Sequence, residues 1–115
     1  MLKQDTVTIK GKVISTDVEE LNLLNYDLTN KDIEPLKYCE NLKWLNLHWN
    51  QISDVTPLAG LLNLRAVFIS GNQIADISPL SKLPHIKIEE IALQLNQQDY
   101  VMAWSETIRP RLWHI

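Results

Sequence analysis

From Leu42 onward the apolar residues fall in the spacing L-x-x-L-x-L and then thin to single aliphatic positions set among polar ones. The alternation is that of a short strand with one buried side. Successive side chains of a strand point to opposite faces, so Leu45 and Leu47 go inward and Trp44, Asn46 and His48 go outward. The same pattern returns 22 residues later, where "LKWLNLHWNQISDVTPLAGLLN" lies over "LRAVFISGNQIADISPLSKLPH" without a gap. Leu45 and Leu47 fall over Val67 and Ile69, Asn50 over Asn72, Ile52 over Ile74, Asp54 over Asp76, and Pro57-Leu58 over Pro79-Leu80.

Two looser copies flank this pair. Upstream, Val18 to Asn41 repeats the pattern with two extra residues around Asn30-Lys31, with Tyr26 at the asparagine position and Cys39 at the last leucine position. Downstream, "IEEIALQLN" fits at Ile88, Ile91, Leu93 and Asn96 after a two-residue slip near Pro84. The pattern thus predicts repeats over 18–41, 42–63 and 64–87 and a partial one over 88–97, each opening with a strand. In the partial repeat Glu90, Ala92 and Gln94 would face outward.

Each recurring position has a physical reason. An asparagine at a strand's end bonds the backbone of the adjoining turn, and stacked copies build a ladder from Asn50, Asn72 and Asn96. The prolines suit tight 3₁₀ turns on the far side, and Asp54 and Asp76 are placed to cap them. One unit cannot bury its apolar face alone, so neighbours must stack.

These residues resemble the leucine-rich repeat, L-x-x-L-x-L-x-x-N-x-L, and "N-Q-I-x-D-[VI]-x-P-L-x-x-L" is most similar to the bacterial internalin-type subclass with its 22-residue unit. The resemblance covers Val18 to Asn96. It implies an α/β solenoid, a short horseshoe with one strand of a parallel sheet per repeat. At the start, "TVTIKGKVIST" alternates about Lys10-Gly11 and reads as a hairpin, so residues 1–17 are expected to cap the first repeat's open edge. At the end, Tyr100, Val101, Trp104 and Ile108 have helical spacing, with Asp99 as N-cap and Pro110 as terminator. Residues 98–115 are therefore expected to form a helical cap and tail.

Composition narrows the functional classes. A chain of 115 residues with 45 % hydrophobic content fits one globular domain. The net charge of −3 lacks the basic footprint of a nucleic-acid binder. A lone cysteine, Cys39, forms no internal disulfide and suits a reducing compartment. No apolar run reaches membrane-spanning length, and the start has no signal-peptide core. The expected location is cytoplasmic, or extracellular if the chain is an excised domain of a secreted protein.

The strand register brings Glu20, Asn22 and Leu24 beside Trp44, Asn46 and His48, and these beside Ala66, Phe68 and Ser70. Trp49 lies just past its strand. Contiguous apolar residues on an open face mark an interaction surface, and tryptophans dominate such surfaces. The candidate partner-binding residues are Trp44, His48, Trp49, Phe68, Leu24, Asn46, Asn22, Ser70 and Glu20.

No catalytic or cofactor-binding constellation accompanies them. His48, His85 and His114 lack metal-ligand spacing, Gly11, Gly60 and Gly71 are scattered, and Cys39 sits at a buried leucine position. The expected function is a non-enzymatic adaptor or inhibitor that binds one protein, a host or toxin component in a bacterial or phage setting. No metal, cofactor, nucleic acid or membrane is expected. Three readings compete: a carbohydrate-binding module on the same tryptophans, a homodimer through the same patch, and aromatics that only stabilise the sheet by cross-strand contact. Arg109, Arg111 and Trp113 form a basic aromatic tail that suits either an anionic partner or helix capping. Protonation of His48 is expected to weaken binding below about pH 6.5.

Overall fold

A computed structural model of the chain describes residues 5–99, with side chains through Leu95. Strands β1 (Thr6–Ile9) and β2 (Lys12–Ser15) form an antiparallel hairpin. Its turn residues Lys10 and Gly11 both have positive φ, 49° and 79°, which matches the right-handed twist of the flanking strands. Val7, Ile9 and Ile14 join the same buried cluster as the repeat leucines, and β1 packs against the 3₁₀ helix Glu34–Tyr38.

Strands β3 (Glu20–Asn22), β4 (Trp44–Asn46) and β5 (Ala66–Phe68) make a parallel sheet in that order. Leu21, Leu45 and Val67 are in register, as are Asn22, Asn46 and Phe68. Inward residues stack in columns across the repeats. Leu28, Ile52 and Ile74 form one column; Leu36, Leu58 and Leu80 form another; and Cys39, Leu61 and Leu83 form a third, all of them buried. Cys39 therefore fills a leucine position as a small hydrophobe.

The far side of each repeat turns through a 3₁₀ helix begun near a proline: Glu34–Tyr38, Thr56–Leu58 and Ser78–Leu80. The Asp54 carboxylate accepts from Thr56 N–H at 2.9 Å and Thr56 Oγ1 at 2.6 Å, and Asp76 accepts from Ser78 N–H at 2.9 Å. The Thr56 hydroxyl and amide hold Asp54 below the usual carboxylate pKa, and the Ser78 amide does the same for Asp76.

The two extra residues of the first repeat also have a structural reason. They allow one α-helical turn, α1 (Asn30–Ile33), whose opening Thr29 N–H and Oγ1 donate to the Asp32 carboxylate at 2.8 and 3.0 Å. Asn30 Oδ1 then accepts from Ser53 N–H and Asp54 N–H, tying this repeat to the next.

The fourth strand expected over Ile88 to Asn96 is not a strand. That stretch lies in helix α2 (Ile88–Asp99). Ile88, Ile91 and Leu95 fall at i, i+3 and i+7, so a helix gathers them on one face, and all three pack on the core. As a strand the segment would have faced Leu93 inward, whereas in the helix it is 58 % exposed. Glu90, Ala92 and Gln94 accordingly do not extend the outward face of the sheet. Asp99 is the last described residue of this helix and not the N-cap of a new one. The Asn96 side chain, and the helix expected over Tyr100, Val101, Trp104 and Ile108, lie outside the described residues.

Candidate partner-binding face

The rim of the sheet is rigid because of Asn50 and Asn72. Asn50 Oδ1 accepts from Tyr26 N–H and Leu28 N–H, both at 3.0 Å, while its Nδ2 donates to Leu23 O at 3.0 Å and Leu47 O at 2.9 Å. Asn72 Oδ1 accepts from Ile52 N–H at 3.0 Å, and its Nδ2 donates to Leu47 O at 2.8 Å and Ile69 O at 3.0 Å. Each amide thus serves backbone groups of two repeats that would otherwise be buried without partners.

On this frame the outward side chains meet across strands. The Trp44 and Phe68 rings are 5.5 Å apart, centroid to centroid, and tilted by 56°. His48 and Phe68 are 5.4 Å apart and tilted by 52°. Trp44, His48 and Phe68 therefore cover one another and are half-buried, less exposed than their outward register alone suggests. The exposed apolar groups are Leu24, at 44 %, and Trp49, at 46 %. Asn46 and Ser70 are half-buried and Glu20 and Asn22 exposed, so all nine candidate residues line the open face or its rim.

A substitution at one strand changes the role of its neighbour. Asn22 Oδ1 accepts from Leu24 N–H at 3.1 Å, and Asn46 Oδ1 accepts from His48 N–H at 2.9 Å. The third strand has Phe68 at this position, which has no acceptor to offer Ser70 N–H. His48 supplies it across the sheet, its Nδ1 accepting from Ser70 N–H at 3.0 Å. Only an unprotonated Nδ1 accepts, so this bond selects the neutral ring. Burial pushes the His48 pKa below the usual imidazole value, and the expected onset of a charge effect at about pH 6.5 moves lower.

Trp49 stands apart. Its backbone is left-handed, with φ 60°, at a position where the neighbouring repeats have Asn25 (φ 56°) and Gly71 (φ 77°). Asparagine and glycine visit this region readily; for other residues it costs about 1–2 kcal/mol. The indole lies against Gly71, where a Cβ would come within 2.5 Å of Cε3 and 2.6 Å of Cδ2.

Two features on or near this face were not evident as part of the site from the sequence. Tyr26 is exposed beside Leu24, with the Lys12 ammonium 5.3 Å from its ring centre and 3.3 Å from its hydroxyl. A cleft of 110 Å³ also opens between β5 and α2, with Phe68, Ile86 and Ile91 among its lining and Arg65, Lys87 and Glu90 around it. A signal for Tyr26 existed, because an aromatic residue displaced asparagine from the ladder position. The larger groove, 410 Å³ between Asn30, Glu34, Lys37, Asp54 and Pro57, lies among the 3₁₀ turns away from the aromatics. Among the described residues no group of three histidine, cysteine or acidic side chains is placed to hold a metal ion, and no helix is long and apolar enough to cross a membrane.

Stacked units with in-register parallel strands, a buried asparagine past the second and third strands and a proline turn opposite each define a leucine-rich repeat solenoid. The chain belongs to the leucine-rich repeat family: the pattern described as Leucine Rich repeats (2 copies) matches residues 40–97. Within that family it is internalin-like. It resembles internalin C2 of Listeria monocytogenes with a TM-score of 0.59 and 38 % identity, over 62 % of this chain and 30 % of that one. Against internalin F of the same organism the TM-score is 0.58 and the identity 30 %, over 67 % of this chain and 23 % of that one. This chain therefore spans less than a third of the length of either structure. No curated protein matches it.

Proposed function

We propose that the chain is a non-enzymatic protein-interaction module that docks one protein partner on the open face of its sheet. The observation that carries this reading is the cluster of Trp44, Phe68 and His48 rings on the outward side of the sheet, with the exposed Leu24 and Trp49 at the strand ends. Isolated surface hydrophobics are ordinary; a contiguous aromatic cluster on a rigid frame is the composition of an interface core. Family membership supports the class of function, since stacked repeats present extended surfaces to partners. The Trp44 and Phe68 rings are tilted by 56° and do not form the flat platform on which a sugar ring stacks, so a protein is favoured over a carbohydrate.

The test is affinity capture with wild type and Trp44→Ala, each first shown to be folded by its melting curve, with light scattering on both. Loss of a specific partner with Trp44→Ala supports the reading. Equal capture by the two monomeric proteins overturns it, and a wild-type dimer that Trp44→Ala dissociates replaces the partner with a second copy of the chain.

A further inference from the structure

Trp49 combines three features that fold stability does not require together. Its backbone is left-handed, a conformation that the neighbouring repeats occupy with Asn25 and Gly71. Its side chain remains 46 % exposed. The indole atoms nearest the Cβ position of Gly71 are Cε3, Cδ2 and Cγ, and Nε1 is not among them. Among the described residues no acceptor takes that Nε1–H.

Gly71 meets two requirements at once. Its φ of 77° suits glycine or asparagine, and its missing Cβ makes room for the indole. Asn25 shows that the first requirement alone is met by asparagine. The second is met only by glycine. Backbone strain at an exposed aromatic residue is a mark of function, and a half-exposed indole whose donor is unused within the chain is the form an interface anchor takes.

We propose that Trp49 is the specificity-determining anchor of the partner surface and that Gly71 is its positioning residue. The partner is then a protein with an apolar slot for the indole and, at its wall, a hydrogen-bond acceptor for Nε1–H. The proposal rests on the docking face described above, and it adds which side chain enters the partner and what the partner must offer.

The experiment measures affinity for the protein captured by wild type, using the full chain with Trp49→Asn, Trp49→Phe, Gly71→Asn and the Trp49→Asn/Gly71→Asn double variant. Circular dichroism melts confirm that each is folded. Trp49→Asn and Gly71→Asn are each expected to weaken binding by about thirtyfold or more, the loss that marks an anchor. Trp49→Phe, which keeps an apolar ring without the donor, should fall between these and wild type. The double variant should lose no more than either single one, because Gly71 acts only through the indole. In the free chain the Trp49 Nε1–H resonance should shift in Gly71→Asn and lie at a solvent-exchanging position in wild type. Affinity within twofold of wild type for Trp49→Asn, or losses that multiply in the double variant, would overturn the proposal. If Trp44→Ala abolishes capture while Trp49→Asn does not, only the anchor falls and the docking face stands.

Discussion

The Gln94 side chain occupies the place of a peptide unit beside Ile69. Its Oε1 accepts from Ile69 N–H at 2.6 Å and its Nε2 donates to Val67 O at 2.9 Å. In the preceding repeats the equivalent amides bond to strand carbonyls, Leu23 N–H to Asn46 O and Leu47 N–H to Phe68 O, each at 2.8 Å. One side-chain amide has the donor and acceptor that a following parallel strand would present, so α2 closes the sheet edge without adding a strand.

Replacing Gln94 with leucine should keep the helix while leaving Val67 O and Ile69 N–H without the partners it supplies. We expect a loss of about 1–3 kcal/mol in urea unfolding. Association by size exclusion should rise as well, since the edge becomes open to a second chain. Unchanged stability and no association would show that the bridge contributes nothing.

Asn50→Ala should be among the most damaging polar substitutions, because one amide serves Tyr26, Leu28, Leu23 and Leu47. A loss of about 3 kcal/mol or more is expected, from several buried groups left unpaired at once. Asn50→Asp should recover little, since a carboxylate accepts from Tyr26 and Leu28 but donates nothing to the two carbonyls. Thermal melts of both variants decide the point.

Leu47→Asp should prevent folding. Leu47 is fully buried, and an unpaired carboxylate there costs several kcal/mol in a domain of ordinary stability. A cooperative near-wild-type melt would mean that this side of the strand does not face the core.

His48 makes stability depend on pH in a known direction. Its folded-state pKa is depressed by burial, so the unfolded chain takes up the proton first as pH falls. The stabilising contribution is whole above the unfolded value of about 6.5 and is lost as pH drops through the lower folded value. Wild type should therefore lose stability below about pH 6.5 relative to His48→Gln, whose amide oxygen can accept from Ser70 N–H and does not titrate. Denaturant midpoints of the two proteins across that range should diverge on acidification; parallel curves would sink the assignment.

Much of the architecture was legible before any coordinates. The 22-residue period sorted Leu45, Leu47, Val67 and Ile69 inward and Trp44, His48 and Phe68 outward, because strand alternation and repeat stacking leave no other way to bury the leucines. The turn roles of Asp54 and Asp76 were equally local, each set within one unit and copied to the next, and the ladder positions of Asn50 and Asn72 were legible from the repeat although their bonds reach into the preceding unit. Tertiary structure decided what depends on neighbours 20 or more residues away. The spacing of Ile88, Ile91 and Leu95 becomes a helix face because the exposed edge of β5 can be satisfied by Gln94 from a helix. His48 acquires its bond to Ser70 only because Phe68 displaces the asparagine found at that position in the other two strands. Trp49 holds its posture only because Gly71, one repeat on, has no side chain to occupy the same space. A repeat pattern determines which face each residue takes; which partner it meets there is decided when units of unequal sequence are stacked and every buried donor, acceptor and void must be filled.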